Sequence, residues 1–204
     1  MCVQYGVDIS SRRIDDLDKL LLQTVANATK PTILELGCGH GGLTYRLIDS
    51  GAHVYAVDIS DYTSELDTAL RTGKVSFVVA DMRTLPANYL SRSYDACVVQ
   101  RSLHYIRQPE AVRVLRQLRT LVTGALYLSV TGIETDIASY YPATDTPLTE
   151  RFASLHAPAD DLFSITAPLC LYRKEEIIAT ISEAGWQIDK IWTSAFGNHK
   201  LICR

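Results

Sequence analysis

No stretch of the sequence approaches the roughly 20 consecutive apolar residues that a helix needs to cross a bilayer. The chain also lacks an excess of either charge, because 20 Lys and Arg stand against 23 Asp and Glu and give a net charge of −3. This balance provides no general attraction for the phosphates of nucleic acid. These two absences predict a protein that neither enters a membrane nor binds DNA or RNA.

Cysteines that pair or cluster are absent as well. The five cysteines form an odd set with no Cys-x-x-Cys spacing and no Cys/His cluster, so we predict no metal site. No hydrophobic signal segment precedes Cys2, and a cytosolic location is therefore expected. Cys38 and Cys97 are interpreted as small residues chosen for their size.

No segment has the composition of a linker, so the 204 residues are predicted to form a single domain, 1–204, with its own core. Residues 1–30 are predicted to be an N-terminal helical cap, because Ile14, Leu17, Leu21 and Val25 recur at helical spacing. Residues 131–172 are longer than the usual connection between a strand and the next helix.

A glycine-rich turn is the most informative feature that is present. Residues 35–42 read Glu-Leu-Gly-Cys-Gly-His-Gly-Gly and follow the apolar pair Ile33 and Leu34. Glycine lets backbone turn tightly and approach a ligand closely between a strand and a helix. The spacing of Gly37, Gly39 and Gly42 fits a dinucleotide-binding turn, but the acidic residue before the first glycine fits another class of nucleoside-cofactor turn.

Short apolar runs alternate with amphipathic segments along the rest of the chain. This alternation predicts an α/β fold with a Rossmann-like, seven-stranded, mainly parallel sheet and helices on both faces. The last two strands are too close in sequence for a crossover helix, so an antiparallel C-terminal hairpin is expected around residues 193–196. The strands are predicted at 33–36, 54–57, 76–79, 96–99, 125–130, 186–192 and 196–203, and the helices at 14–28, 43–49, 62–71, 109–121 and 173–184.

From about Thr32 to the C-terminus the chain resembles the class I S-adenosylmethionine (SAM)-dependent methyltransferases, most closely their small-molecule, UbiE- and TehB-like members. The glycine turn resembles the first motif of that family, and the other motifs follow in the family's order. This resemblance implies SAM as the cofactor and a small molecule as the methyl acceptor. The later motifs are Val57-Asp58-Ile59-Ser60, Ala80-Asp81-Met82, and residues 94–99 with Leu103-His104-Tyr105.

The resemblance also implies roles for residues at the strand ends. Asp58 would accept hydrogen bonds from both ribose hydroxyls, Asp81 would accept from the adenine amino group, and Ile59 would pack against adenine. Aspartates in such places also cap helices, which is the competing interpretation. The implied cofactor-binding residues are Glu35, Gly37, Cys38, Gly39, Asp58, Ile59, Asp81, Met82, Gln100 and Arg101.

Methyl transfer needs alignment of the acceptor more than it needs a base. If the acceptor must lose a proton, the candidate base is His104, with Tyr105 as its neighbour; both residues alternatively only form the pocket wall. Residues 131–172 are interpreted as a substrate lid, since they interleave aromatic residues with prolines.

Two alternative functions stay open at this point. An NAD-dependent oxidoreductase fits the spacing of Gly37, Gly39 and Gly42 and the position of Asp58, although Asp81 and the terminal hairpin oppose it. A non-catalytic SAM-binding module is the second, because binding residues do not establish turnover. The oligomeric state and the acceptor atom are not predicted.

Overall fold

The computed structural model describes residues 3–6 and 11–204. The rest of the predicted 1–30 cap, residues 1, 2 and 7–10, lies outside the described residues. The strands are β1 (Thr32–Leu36), β2 (His53–Asp58), β3 (Val75–Val79), β4 (Tyr94–Gln100), β5 (Val122–Thr131), β6 (Ile188–Thr193) and β7 (Asn198–Cys203). The helices are α1 (Asp16–Ala26), α2 (Gly42–Asp49), α3 (Thr63–Arg71), α4 (Ala87–Leu90), α5 (Gln108–Leu121), α6 (Ala159–Phe163) and α7 (Lys174–Glu183), with 3₁₀ turns at Leu103–Tyr105 and Asp136–Tyr140.

The strands form one seven-stranded sheet in the order β3-β2-β1-β4-β5-β7-β6. Strand β1 pairs in parallel with β2 and β4, and β2 pairs in parallel with β3. Strands β6 and β7 are antiparallel. The predicted fold class and the terminal hairpin are therefore confirmed.

The contacts divide the described chain into two compact units, each of which has its own packing. The first unit comprises residues 11–100 and 117–127, and the second comprises residues 3–6, 101–116 and 128–204. The predicted single domain of residues 1–204 stays a prediction.

In the first unit, apolar runs of sequence form the strands of the sheet, and the N-terminal helix α1 begins with a hydrogen-bonded cap. Asp15 accepts the Leu17 N–H at 2.9 Å, and Asp18 accepts the Asp15 N–H at 2.9 Å, which satisfies two amides at the start of α1. Helix α1 buries Leu17, Leu21 and Val25 as expected. Ile14 was expected on the same face, but it precedes the helix and is exposed.

In the second unit, residues 131–172 pack on themselves. Tyr141, Ala143, Ile165, Leu169 and Leu171 form a buried apolar cluster. N-terminal residues 3–6 add to this segment, because the Thr166 and Ala167 amides both donate to the Gln4 carbonyl at 3.0 Å. The segment is therefore a folded substructure with its own core.

Candidate functional site

The glycine turn connects β1 to α2 at the carboxyl edge of the sheet in the first unit. Gly37, Gly39 and Gly41 all have positive φ angles, of 79°, 52° and 82°. A Cβ on Gly41 would also lie 2.3 Å from Cδ2 of Leu66. The sequence thus uses glycine here because both the backbone conformation and the close approach of Leu66 require it.

Asp58, the last residue of β2, braces this turn. One carboxylate oxygen, Oδ2, accepts the Gly39 N–H at 2.9 Å, and the other, Oδ1, accepts the Ser60 N–H at 3.0 Å. The carboxylate thus lies against the backbone of the glycine turn at the end of β2. Asp58 therefore fits the predicted ribose site and also orders the loop that carries it.

Glu35 lies beneath the turn, because it is buried in β1. Its Oε2 atom accepts the hydroxyl of Thr44, a buried residue of α2, at 2.6 Å. This bond joins the end of β1 to the first turn of α2. The structure thus places Glu35 as a support of the glycine turn, and its contact with the cofactor stays a prediction.

Asp81 follows β3 and is clasped by Arg83, a residue that the sequence did not single out. The Arg83 backbone N–H donates to Oδ1 at 2.8 Å, and Nε lies 3.0 and 2.9 Å from Oδ1 and Oδ2. A side-chain hydrogen bond from Arg83 is the main cause that lowers the pKa of Asp81. Ile59, in the same unit, leaves half of its surface exposed, as an apolar residue awaiting a planar ligand would.

The strand order of the first unit reverses between β1 and β4, and α/β sheets bind ligands at such a point. Because β1 to β4 are parallel, their carboxyl ends gather the glycine turn, Asp58, Asp81 and Gln100 at one edge. The Gln100 Nε2 atom is buried and lacks a hydrogen-bond acceptor among the described residues. A buried donor without a partner is costly, so this atom fits a site that receives a polar ligand.

Arg101 begins the second unit immediately after β4. It has a φ of 51°, which is unusual for a residue with a side chain, and its N–H donates to the Ser129 carbonyl at 2.8 Å. Such strain concentrates at functional sites. The predicted cofactor residue Arg101 therefore has an unusual backbone, whereas its contact with a cofactor stays a prediction.

His104 and Tyr105 occupy a 3₁₀ turn of the second unit. His104 is 2% exposed, and its Nδ1 accepts the Thr131 N–H at 3.4 Å. This bond assigns the ring proton to Nε2. Burial, followed by the charge of Arg101, lowers the pKa of His104 to about 3, so the imidazole is neutral at physiological pH.

Tyr105 is fixed by the N-terminal segment of the same unit. Its hydroxyl donates to the Tyr5 carbonyl at 2.6 Å, and burial raises the pKa of that hydroxyl. The His104 and Tyr105 rings lie 4.3 Å apart. Both candidate catalytic residues are thus neutral and are held by backbone hydrogen bonds.

Residues 131–172 are anchored by a buried arginine that the sequence did not single out. Arg151 is 2% exposed, and its guanidinium lies 2.6 and 2.9 Å from the two oxygens of Glu176 in α7. A buried charge needs such a partner. No periodic pattern marks Arg151 in the sequence, so only the structure identifies it.

No metal cluster or membrane span is present in the part of the chain that the structure describes. In residues 3–6 and 11–204 no group of three or more His, Cys, Asp or Glu could hold a metal ion. No helix within these same ranges is long and apolar enough to cross a membrane. Cys38, Cys97, Cys170 and Cys203 are buried and form no disulfide.

The seven-stranded sheet with an antiparallel end, and the glycine turn and acidic strand ends at its switch point, define a Rossmann-like fold of the class I methyltransferase type. Residues 33–124 match the methyltransferase domain family. Over these residues the chain is therefore similar to methyltransferase domains.

Two relatives from bacteria illustrate the similarity. The magnesium-protoporphyrin O-methyltransferase of Rhodobacter capsulatus is 38% identical over 103 residues, which are 48% of this chain and 44% of that protein. The ubiquinone biosynthesis O-methyltransferase of Paraburkholderia xenovorans is 29% identical over 119 residues, 56% of this chain and 50% of that protein. The chain thus matches about half the length of these curated relatives.

A solved structure shows the same fold over nearly the whole chain. It is the 1,6-didemethyltoxoflavin-N1-methyltransferase of Burkholderia thailandensis, with bound 1,6-didemethyltoxoflavin and S-adenosylhomocysteine. The TM-score is 0.68 at 18% identity, and the match covers 95% of this chain and 76% of that one. At this identity the likeness concerns the fold alone.

Proposed function

We propose that this protein binds SAM at the carboxyl edge of its first unit and transfers the methyl group to a small-molecule acceptor, releasing S-adenosylhomocysteine. The observation that carries the proposal is the Asp58 carboxylate, which braces Gly39 at the end of β2. The match of residues 33–124 to the methyltransferase domain family and the acceptors named for the relatives support it. SAM supplies a methyl group on a positively charged sulfur when bound.

Each residue of the first unit has a proposed part in binding. Asp58 accepts hydrogen bonds from the ribose hydroxyls, Asp81 accepts one from the adenine amino group, and Ile59 covers the ring. Gln100 directs its buried amide at the methionine part. The remaining contacts come from the glycine turn and its neighbours, namely Glu35, Gly37, Cys38, Gly39 and Met82.

We further propose that residues 131–172 with His104 and Tyr105 receive the acceptor. The segment packs around an apolar cluster, and an acceptor bound against such a segment would be shielded from water, which favours a displacement reaction. His104 remains the candidate base, but it would have to take the proton at Nδ1 in place of the hydrogen bond from the Thr131 N–H. Its pKa of about 3 means that it removes a proton only from an acceptor that becomes acidic as the methyl group is transferred. A cytosolic location stays a prediction.

The first experiment is calorimetric titration of the protein with S-adenosylhomocysteine and with NAD. We expect saturable binding of S-adenosylhomocysteine alone. Binding of NAD alone would overturn the proposal in favour of an oxidoreductase. An acceptor screen with phenolic, carboxylic and amine compounds follows, and detectable turnover with one of them separates an enzyme from a non-catalytic binding module.

Asp58→Ala tests the pocket directly. The variant loses two hydrogen bonds to an ionised group, each about 1.5–3 kcal/mol, so the affinity for S-adenosylhomocysteine should fall by about 100-fold or more. Asp67→Ala is the control, since Asp67 is an exposed acid of α3 in the same unit. Equal affinities of the wild type and Asp58→Ala would place the cofactor elsewhere.

A further inference from the structure

The Asp81 carboxylate is held by an unusually complete clasp from a single residue. Arg83 lies two positions later and uses its backbone amide, its Nε and its Nη2 on the two carboxylate oxygens. Side-on pairing of a guanidinium with a carboxylate fixes the plane of both groups. The carboxylate therefore has a set orientation before any ligand arrives.

This clasp limits what the carboxylate can still accept. An ionised carboxylate offers about four lone-pair positions. The Arg83 amide donates to Oδ1, Nη2 donates to Oδ2, and the single Nε hydrogen is shared between the two oxygens. These three donor hydrogens leave one of the four positions for a further donor, and its direction is set by Arg83.

The clasp adds little to the stability of the fold. The Arg83 side chain is 42% exposed, and exposed ion pairs contribute little to stability. Arg71 and Asp67 form a comparable pair on α3 in the same unit, with exposures of 78% and 53%. The two arginines thus differ in where their partners lie. Asp81 follows β3 in the candidate site, whereas Asp67 lies in α3.

We propose that Arg83 is a positioning residue for cofactor choice, because it fixes Asp81 so that the site accepts a ring with a 6-amino group and rejects one with a 6-oxo group. This inference rests on the proposed placement of adenine beside Asp81. A 6-amino group donates to the remaining position on the carboxylate. A 6-oxo group has only lone pairs to present there, and a carboxylate that cannot rotate away leaves both groups unsatisfied.

The test compares S-adenosylhomocysteine with S-inosylhomocysteine, in which the 6-amino group is replaced by a 6-oxo group, by calorimetry at neutral pH. In Arg83→Ala we expect affinity for the amino compound to fall by about tenfold and the preference over the oxo compound to shrink by a similar factor. Arg83→Lys keeps the positive charge but loses the planar guanidinium that forms two parallel hydrogen bonds. We expect it to retain more of the preference than Arg83→Ala but less than the wild type. Arg71→Ala is the control and should match the wild type.

Asp81→Asn separates this inference from the proposed function. If this variant keeps the full wild-type preference, adenine does not lie beside Asp81, and the proposed adenine placement fails with the inference. If Asp81→Asn loses the preference while Arg83→Ala binds S-adenosylhomocysteine as tightly as the wild type, or more tightly, the adenine placement stands and the role of Arg83 is refuted. Loss of preference in both variants supports the proposal.

Discussion

Replacement of Arg151 by methionine should destabilise the second unit strongly, because Arg151 joins residues 131–172 to α7. Its guanidinium binds both oxygens of Glu176, and it also donates to the carbonyls of Leu171 at 3.1 Å and Thr146 at 2.9 Å. Methionine fills much of the same space but donates no hydrogen bond. The variant therefore removes hydrogen bonds while keeping most of the packing.

The expected cost follows from the burial of the pair. Removal of one partner of a buried ion pair costs about 3–5 kcal/mol. Arg173 lies 3.2 Å from Glu176 and remains beside it, so we expect the lower end, about 3 kcal/mol at pH 7.

The cost should also depend on pH. Burial raises the pKa of Glu176, but hydrogen bonds from Arg151 and Arg173 outweigh this effect and hold it below the ordinary 4.5. A lowered carboxyl pKa contributes stability that is complete above the unfolded-state value and is lost as the pH falls through the folded-state value. The difference between wild type and variant should therefore shrink below about pH 4.5.

Urea unfolding followed by tryptophan fluorescence is the assay, since Trp186 and Trp192 both lie in the second unit. The double variant Arg151→Met/Glu176→Gln should recover part of the loss, because it removes the second buried charge. Arg116→Met is the matched control, because Arg116 pairs with Glu183 on the surface, and should change stability by less than about 0.5 kcal/mol. A loss below about 1 kcal/mol for Arg151→Met, or no recovery in the double variant, would refute the reasoning.

Two further predictions concern the glycine turn and the candidate base. Gly41→Ala should cost about 2–4 kcal/mol in unfolding followed by circular dichroism, since it adds left-handed strain and a contact with Leu66; Gly73→Ala, with φ +68° and open space, should cost only about 1–2 kcal/mol, and equal costs would contradict the packing argument. His104→Gln should keep S-adenosylhomocysteine affinity and lower kcat if the imidazole is the base. Because the folded-state pKa of His104 is lowered to about 3, the stability of the wild type relative to this variant should fall by about 2 kcal/mol from pH 7 to pH 5, and a constant difference would show that His104 is not buried neutral.

The elements that depend on local pattern could be predicted from the sequence. Strands β1 to β4 were placed to within two residues at each end, and the terminal hairpin was inferred from the short gap between its strands. Apolar runs that are buried on both faces leave few alternatives to a parallel sheet. The short helices α4 and α6 were missed, because segments of four or five residues carry too little periodicity to detect.

The candidate site could be predicted only in part. Asp58 and Asp81 were found because they end strands, but the clasp of Asp81 by Arg83 and the anchor of residues 131–172 by Arg151 were not. Arginine is common on surfaces, and its sequence position does not show whether the guanidinium meets a carboxylate. The unusual backbone at Arg101 had no sequence signal either, since positive φ is expected at glycine.

The sequence by itself determined the fold class, the glycine turn and the acidic strand ends, because hydrophobic periodicity and backbone permissiveness are properties of neighbouring residues. The tertiary structure alone decided how the pKa values of His104 and Asp81 are shifted. Burial and the charge of Arg101 lower the pKa of the His104 imidazole, and a side-chain hydrogen bond from Arg83 lowers the pKa of Asp81. Electrostatic free energy depends on the distance between charges and on the exclusion of water. Neither quantity can be read from the amino-acid sequence.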